Sequence, residues 1–401
     1  MKNFNCALVM TVFLGATAMA DIVVPKDRDG RDVDIHAAAD SSSQEIGALS
    51  PGGFREVFGS TSHWYEIRMP DGTPGFVSKR ATTLIRTPTP RDVDELRIHY
   101  LNVGSGACTV VECPGPDAPP MIVDCGSVGN FTFDLEGAEA TSYVASVLAD
   151  HDTAPNVVIS HPHTDHYDLI PDILDGIQAD NVWLGGDESG YRFAGFPDWR
   201  AAQEAGGADF HADHPADFHN DQEPMDPQIL GCGLADVYTL TVNTGDGPNP
   251  NSHVMEIRYD DFGATFTGDA EGITEEQADA NHDGNVKTTA LSASHHGASS
   301  HGSNDADWIE ATDPEIVVFS SGPRFGHPRC NVVARYDQTL APAPSHPTHC
   351  GDNSGFQRDN DTRLAKYVTA TNGLIVITSD GSPPAELFCD GQTDCTAEIE
   401  H

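Results

Sequence analysis

The chain has 401 residues, more than one average domain, so two folded units are expected. It carries 62 acidic residues against 21 basic ones, a formal net charge of −41. Such a surface repels phosphate backbones and anionic membranes, which argues against a wide nucleic-acid-binding groove. The excess of acidic residues is compatible with a salty environment, where dissolved ions screen the repulsion between the negative charges of the protein.

Residues 1–20 have the features of a secretory signal peptide. Lys2 precedes an apolar run at 7–14, and the small residues at 18–20 offer a cleavage site before Asp21. The run is too short to span a bilayer, and no other stretch is apolar enough to do so. We therefore expect a secreted or periplasmic protein.

Residues 22–86 are predicted to form a small β-barrel, because short apolar segments are separated by Gly and Pro turns. The segments IGAL (46–49) and HWYEIRMPDGTPGFVS (63–78) resemble the bacterial Src-homology-3-like domain, whose members often bind cell wall or peptide. Trp64 and Tyr65 could line a groove, and we expect one of them in the core and the other at the surface.

A proline-containing linker is predicted at 87–95, followed by a second domain at 96–388 and a C-terminal tail at 389–401. In the second domain, strand patterns alternate with helical ones, the clearest at 138–150 and 167–177. This alternation predicts sheets that are flanked by helices.

The sequence SHPHTDH at 160–166 directly follows the apolar run 156–159. A buried strand that ends in a tight loop would bring four side chains together at its carboxyl edge. These are His161, His163, Asp165 and His166. Imidazoles and a carboxylate are the ligands that zinc prefers. The alternative is a solvated loop rich in histidine.

Further segments follow in order along the chain: ATFTGD ending at Asp269, SHHG at 294–297, and GHP at 326–328. Together with the HxHxDH motif and two upstream strands at 96–108 and 121–126, they resemble the metallo-β-lactamase superfamily. The HHG and GHP boxes are similar to the hydrolase domain of the DNA-uptake protein ComEC and its soluble relatives. The resemblance implies a four-layer αβ/βα sandwich.

The resemblance also implies a set of metal ligands. His161 and His163 would hold one ion, Asp165 and His166 a second, Asp269 would bridge both, and His295 would complete the site. We expect one or two zinc ions, with manganese as an alternative. Asp165, His296 and His327 are the catalytic candidates, with His296 or His327 acting on the leaving oxygen or the phosphoryl charge.

One departure from the superfamily lies at 247–252, where many members carry a histidine in a GHTxGS turn. Here the turn reads GPNPNS and has no histidine at that place. ComEC relatives tend to have Asn and Ser there, so the change favours that branch, and one ligand of the first metal is in doubt. The neighbouring His253 is expected to be structural. The polar region 185–251 is predicted to be an insertion over the site. Its histidines, which are extra ligands or parts of a solvated loop, are His211, His214 and His219.

Asp279, Asn281 and Asp283, followed by Gly284, resemble the start of a calcium loop. The usual glutamate is missing, because Ala290 occupies its position. Calcium and a plain acidic turn are equally good interpretations.

Eight cysteines remain after the signal segment, and an even number in an exported chain predicts disulfides. Cys389 with Cys395, and Cys108 with Cys113, are close enough in sequence to bridge. A buried free thiol is the alternative for Cys125.

Three functions remain open. The first is a secreted metal-dependent phosphodiesterase that acts through a metal-bound hydroxide on nucleic acid or on phosphorylated wall or lipid head groups. The second is hydrolysis of a lactam, lactone or thioester. The third is a wall-binding protein with a relict metal site. The HHG and GHP boxes favour the first.

Overall fold

The computed structural model describes residues 21–26, 31–88, 91–128, 137–193, 195–212, 223–225, 230–352, 355–358, 361–391 and 395–399. None of the helices in these ranges is long and apolar enough to cross a membrane.

Seven short strands open the chain: β1 (Ile22–Pro25), β2 (Val33–His36), β3 (Glu45–Leu49), β4 (Arg55–Ser60), β5 (Trp64–Arg68), β6 (Pro74–Ser78) and β7 (Thr82–Ile85). They form one antiparallel sheet in the order β3-β2-β6-β5-β4-β1-β7. A small apolar core holds the unit together: Val23, Val33, Ile35, Leu49, Ile67 and Val77. The predicted all-β unit is therefore present. Trp64 and Tyr65 are both half-buried, rather than one buried and one exposed.

A nine-stranded sheet begins the second unit: β8 (Leu96–Tyr100), β9 (Cys108–Glu112), β10 (Met121–Cys125), β11 (Asn156–Ile159), β12 (Asn181–Leu184), β13 (Asp209–His211), β24 (Ile375–Ser379), β25 (Ala385–Cys389) and β26 (Ala397–Ile399). Its order is β13-β12-β11-β10-β9-β8-β24-β25-β26. The strands β10 to β13 are parallel, so their carboxyl ends meet at one edge.

A six-stranded sheet completes the frame: β14 (Asp236–Thr241), β15 (Val254–Tyr259), β16 (Phe262–Phe266), β17 (Ala290–Ser292), β18 (Ile316–Phe319) and β23 (Lys366–Val368), in that spatial order. The last four are parallel. Two small two-stranded ribbons lie between β18 and β23 in chain order. They pair β19 (Pro342–His346) with β22 (Thr362–Leu364), and β20 (His349–Asp352) with β21 (Gly355–Arg358).

Eight α-helices accompany these sheets in the described ranges: α1 (Gly137–Leu148), α2 (Thr164–Tyr167), α3 (Ile170–Ile173), α4 (Gly195–Gly206), α5 (Gly272–Asn281), α6 (Ala306–Thr312), α7 (Cys330–Val333) and α8 (Thr369–Asn372). The helix predicted at 138–150 is α1. Of the helix predicted at 167–177, only the single turn α3 is present. It is separate from α2, which ends at Tyr167, because Pro171 near the start of α3 has no amide proton to continue a helix from α2.

Three apolar cores stack these elements in layers. One lies between the two sheets and includes Tyr100 and Phe266. A second joins the nine-stranded sheet to α1, α3 and α4, and a third joins the six-stranded sheet to α5, α6 and α7. The order helix, sheet, sheet, helix is the αβ/βα sandwich of the metallo-β-lactamase fold, so the predicted fold class is confirmed.

The all-β unit contacts the sandwich through its first and last strands. Ile22, Val24 and Ile85 are buried in the same core as α1. Arg86 Nε lies 2.5 Å from Asp390 Oδ1, next to the end of β25. The segment predicted as a C-terminal tail is partly ordered against the sandwich, since β26 forms the edge of the nine-stranded sheet.

Four disulfides join the eight cysteines: Cys108–Cys125, Cys113–Cys232, Cys330–Cys350 and Cys389–Cys395. The predicted Cys389–Cys395 bridge is confirmed. A Cys108–Cys113 bridge and a free Cys125 were both wrong. Cys108 begins β9 and Cys113 follows its end, so an extended strand separates them by about 16 Å. Cys108 instead lies opposite Cys125 on the adjacent β10.

The Cys113–Cys232 bridge should contribute most to stability, because it closes a loop with a sequence separation of 119. Replacing both cysteines by alanine should lower the free energy of unfolding by roughly 4–5 kcal/mol. The matched control is the double alanine variant of Cys389–Cys395, with a separation of 6, for which the expected loss is only about 2 kcal/mol. Chemical denaturation of the three proteins measures the difference. Equal losses in both variants would contradict the assigned pairing.

Candidate metal centre

The histidine-rich loop begins where β11 ends, at the carboxyl edge of the parallel strands. The short helix α2 then turns Asp165 and His166 back toward this edge. In the facing sheet, β16 ends at Phe266, and Asp269 follows after one tight turn. Gly268 in that turn has φ +54°, and a Cβ there would lie 2.5 Å from Ser160 Cβ. Glycine therefore allows the two loops to approach.

Three buried side chains form the first group: His161, His166 and Asp269. His161 Nε2 lies 3.5 Å from Asp269 Oδ2, and His166 Nε2 lies 3.1 Å from Asp269 Oδ1. His163 is next to this group, with Nδ1 3.0 Å from His161 Nε2. It starts α2 as the residue before the first turn and is half-buried.

A second group shares His166 with the first and adds Asp165 and His296. His296 Nε2 lies 3.2 Å from His166 Nε2, 3.7 Å from Asp165 Oδ2 and 3.3 Å from Asp269 Oδ1. In each group the donor atoms lie within 4.8 Å of one another. Two carboxylates and the imidazoles therefore surround one small volume.

The donors fit a metal ion better than they fit one another. Asp269 Oδ1 is buried and accepts no hydrogen bond from any residue in the described ranges. A buried carboxylate oxygen without a partner is costly. Here it faces the Nε2 atoms of His166 and His296, which are the atoms through which imidazole binds metals. The cluster could therefore hold a metal.

The electrostatics of the cluster favour positive charge at its centre. Burial opposes ionisation of Asp269, but the charges of His166, His296 and His161 outweigh it and hold its pKa well below the usual range. Burial lowers the pKa of His161 to about 4, so this imidazole is neutral, as a metal ligand must be. Burial also lowers the pKa of His166, but Asp269 and Asp124 raise it well above its usual value.

Asp124 orients the shared ligand His166 from behind. It is the fourth residue of β10, with φ 52°, and its carboxylate accepts from the backbone amide of Ser160 at 2.6 Å and from Ser160 Oγ at 2.7 Å. The same carboxylate lies 2.7 Å from His166 Nδ1. A proton held on Nδ1 leaves Nε2 free for a metal. An aspartate inside an otherwise apolar strand was the available signal for Asp124, but no role was predicted for it.

The HHG sequence forms a strained turn, with φ 51° at His295, 54° at His296 and 79° at Gly297. Asn304 bridges this turn. Its side-chain amide donates to Ser294 O at 2.8 Å and to Ala298 O at 2.9 Å, the carbonyls on either side of the three residues. No sequence pattern predicted Asn304, because the contact exists only in the folded chain.

Asn304 is itself fully buried and hydrogen-bonded on all sides. Its Oδ1 accepts from Tyr336 Oη at 2.8 Å, its amide N–H donates to Glu275 Oε1 at 2.8 Å, and its carbonyl accepts from Arg335 Nη1 at 2.6 Å. The side chain is thus held in place independently of the turn that it supports.

The two histidines of the turn lie at different depths in the site. His296, expected to face substrate, lies in the second donor group, because its Nδ1 is held 2.7 Å from the carbonyl of Ser320. His295, expected to complete the metal site, is more exposed, and its Nε2 lies 3.6 Å from Asp269 Oδ2. The backbone of the turn determines which ring points inward.

His327 and Asn249 lie at the mouth of the cluster. The His327 ring centre is 6.0 Å from that of His295. Burial, together with His296, His295 and Arg329, lowers the pKa of His327 to about 3, so the ring is neutral. Asn249, in the turn that lacks the superfamily histidine, has Nδ2 3.3 Å from His295 Nε2. His253, expected to be structural, is buried beside Thr239, with 2.8 Å between Nε2 and Oγ1.

The remaining candidates lie elsewhere. His211 stacks on Trp183 with ring centres 4.5 Å apart and is not in either donor group, while His214 and His219 fall outside the described residues. At the suggested calcium loop, Asn281 Oδ1 accepts from Gln277 at 2.6 Å, so this oxygen has a partner in the fold. Calcium there stays a prediction.

The chain matches no known family model and no curated protein. It is similar to two solved structures of CmlA. One is a mutant of this beta-hydroxylase, with 14% identity and a TM-score of 0.36 over 60% of this chain and 47% of the other. The second is CmlA, a diiron beta-hydroxylase from Streptomyces venezuelae, with 16% identity and a TM-score of 0.36 over 62% and 48%.

This chain thus spans about half the length of those two proteins. At this distance the likeness carries no argument about activity. The metallo-β-lactamase fold rests on the four layers themselves, and the metal-binding potential rests on the two His/Asp groups at the edge where the sheets meet.

Proposed function

We propose that this protein is a secreted metal-dependent phosphodiesterase of the ComEC-like branch. The observation that carries the proposal is the unpartnered buried oxygen of Asp269, which faces the imidazoles of His166 and His296. Asp269 belongs to the first donor group and also lies 3.3 Å from His296 of the second, a placement that suits a carboxylate between two ions. The HHG and GHP boxes that surround this site favour phosphoesters over lactams.

In this proposal His161, His163 and Asp269 hold one ion, and Asp165, His166 and His296 hold the other. Zinc is the preferred metal, and manganese the alternative. When bound, the ions supply Lewis acidity and lower the pKa of a water. Asp124 keeps the His166 Nε2 atom directed at the site, and Asn304 keeps His296 turned inward.

The residues at the mouth then act on substrate. Because His296 is used as a ligand, His295 and His327 are the rings left to face the scissile group. His327 is neutral, so it can offer one N–H to a phosphoryl or leaving-group oxygen without bringing a charge.

Export and a binding role for the first unit are also parts of the proposal. Four disulfides are typical of an oxidising compartment. A groove of about 390 Å³ in the first unit is lined partly by His36, His63, Trp64 and Arg80. If this unit is Src-homology-3-like, as its sequence suggests, cell-wall material or a peptide is the proposed occupant.

The decisive experiment combines metal analysis with a substrate screen. Purified protein should contain about one to two zinc or manganese ions per chain and should hydrolyse bis-p-nitrophenyl phosphate. Chelation should abolish this activity, and added zinc or manganese should restore it. Robust lactam, lactone or thioester cleavage without phosphodiester hydrolysis would refute the proposed reaction. Absence of bound metal under all conditions would refute the site.

A further inference from the structure

A groove of about 480 Å³ opens beside the HHG turn. Its lining includes Ser299, Ser300, His327, Arg329, Asn331 and Asp352. His295 connects the groove to the donor groups. The ring centre of His327, in the groove lining, is 6.0 Å from that of His295, and His295 Nε2 is 3.6 Å from Asp269 Oδ2. A substrate whose reacting group sits at Asp269 would therefore extend into this groove.

Arg329 is fixed to the turn that carries the site histidines. Its backbone amide donates to Gly297 O at 2.9 Å, so its position depends on the same backbone that sets His295 and His296. Its side chain is half-buried in the groove wall, with Nη1 3.3 Å from the carbonyl oxygen of Asp352.

The guanidinium of Arg329 forms no ion pair with any residue in the part of the chain that the structure describes. Among the described residues of the second unit, five cations have carboxylate partners within 4.0 Å: Arg97, Arg200, Arg258, Lys287 and Lys366. Arg192, Arg324 and Arg335 instead donate to backbone carbonyls, as Arg329 does. Of these four arginines, Arg329 is the one that lines the groove beside His327. A guanidinium has five N–H donors, and one carbonyl occupies few of them.

We infer that this groove is a subsite for a second phosphate of the substrate, with Arg329 as its cationic ligand. Arginine presents paired N–H donors that match the oxygens of a phosphate. Hydroxyl and amide groups of Ser299, Ser300 and Asn331 add neutral donors along the same wall. The inference rests on the proposed function and narrows it, because the preferred substrate becomes a phosphodiester that carries a further phosphate, as a short oligonucleotide does.

This reading is compatible with the acidic surface. A wide binding face for nucleic acid needs many basic residues in a row. A subsite for one phosphate needs a single well-placed guanidinium, and the surrounding negative charge limits contacts beyond it. The expected substrates are therefore short and not long duplexes.

The test compares two substrates that differ by one phosphate: thymidine 5′-p-nitrophenyl phosphate with and without a 3′-phosphate. The 3′-phosphate should raise kcat/KM by about tenfold or more, which corresponds to about 1.4 kcal/mol. In Arg329→Gln this ratio should fall to about one, and Arg329→Lys should keep part of it, because lysine keeps the charge but loses the planar fork. The matched control is Arg68→Gln, an exposed arginine of β5 that lines neither groove, which should leave the ratio unchanged.

A binding measurement separates failure of the subsite from failure of the reaction. Equilibrium dialysis should show thymidine 3′,5′-bisphosphate bound more tightly than thymidine 5′-monophosphate, and Arg329→Gln should remove the difference. If the wild type shows this Arg329-dependent binding but hydrolyses no phosphodiester, the result supports the phosphate subsite and refutes the proposed reaction. Hydrolysis without preference for the 3′-phosphate, or a preference that survives in Arg329→Gln, would overturn the inference. So would faster cleavage of p-nitrophenyl phosphorylcholine than of either thymidine substrate.

Discussion

Asp269→Asn should remove most metal binding and nearly all activity. Asp269 contacts both donor groups, and its negative charge faces His161, His166 and His296. Loss of a residue that only orients a metal ligand costs about 10–100-fold in metal affinity or activity. Loss of a carboxylate that belongs to the centre should therefore lower kcat/KM by more than about 100-fold. Metal content by mass spectrometry and kcat/KM on bis-p-nitrophenyl phosphate measure the two effects.

The matched control for this substitution is Asp313→Asn. Asp313 is an exposed carboxylate that pairs with Lys287 at 2.8 Å, and surface pairs of this kind contribute little. The control should keep wild-type metal content and activity. An Asp269→Asn protein that keeps both would show that Asp269 is not part of a metal centre, whatever the reaction.

Asn304→Asp should weaken metal binding at the second donor group, although Asn304 is not one of its donor residues. The variant keeps the shape of the side chain, and aspartate tolerates the φ of 55° at this position. It removes the two N–H donors that hold Ser294 O and Ala298 O, and it places a carboxylate against those carbonyls. The left-handed residues His295 and His296 then lose their support, so metal affinity should fall by about 10–100-fold.

The control is Tyr336→Phe, which removes the hydroxyl that donates to Asn304 Oδ1 but leaves the amide donors in place. Both variants lose buried hydrogen bonds, and both should lower the free energy of unfolding by about 1–3 kcal/mol. Only Asn304→Asp should change metal affinity and the visible absorption spectrum of cobalt-loaded protein, which reports ligand geometry. Equal metal affinity and identical spectra in the two variants would reduce Asn304 to a packing role.

Much of the candidate centre was predictable because its ligands are close together in the chain. The motif at 160–166 follows an apolar strand, and a strand end with a tight loop gathers those side chains wherever the rest of the protein lies. Asp269 was found through the resemblance of ATFTGD to a superfamily segment, and it follows another apolar strand. Local periodicity also predicted α1 and the alternation of strands and helices from which the layered fold follows.

The contacts that complete the site join residues that no local pattern links. Asp124 contacts His166 across 42 positions. Asn304 is closer to its turn, 10 residues after Ser294 and 6 after Ala298, but reaches both carbonyls only because the chain folds back. His295 and His296 are neighbours with the same side chain, so no sequence pattern distinguishes them. The backbone of the turn, held by Asn304 and by Ser320 O, brings His296 inward.

The sequence by itself determined which chemical groups the protein has and which strand ends carry them, since local patterns of apolar residues set the strands and loops. The tertiary structure alone decided the disulfide partners, the inward histidine and the position of the Arg329 guanidinium beside the site. Each of these depends on the register and packing of elements that are distant along the chain. Local sequence patterns do not fix which of these distant elements become neighbours in the folded chain.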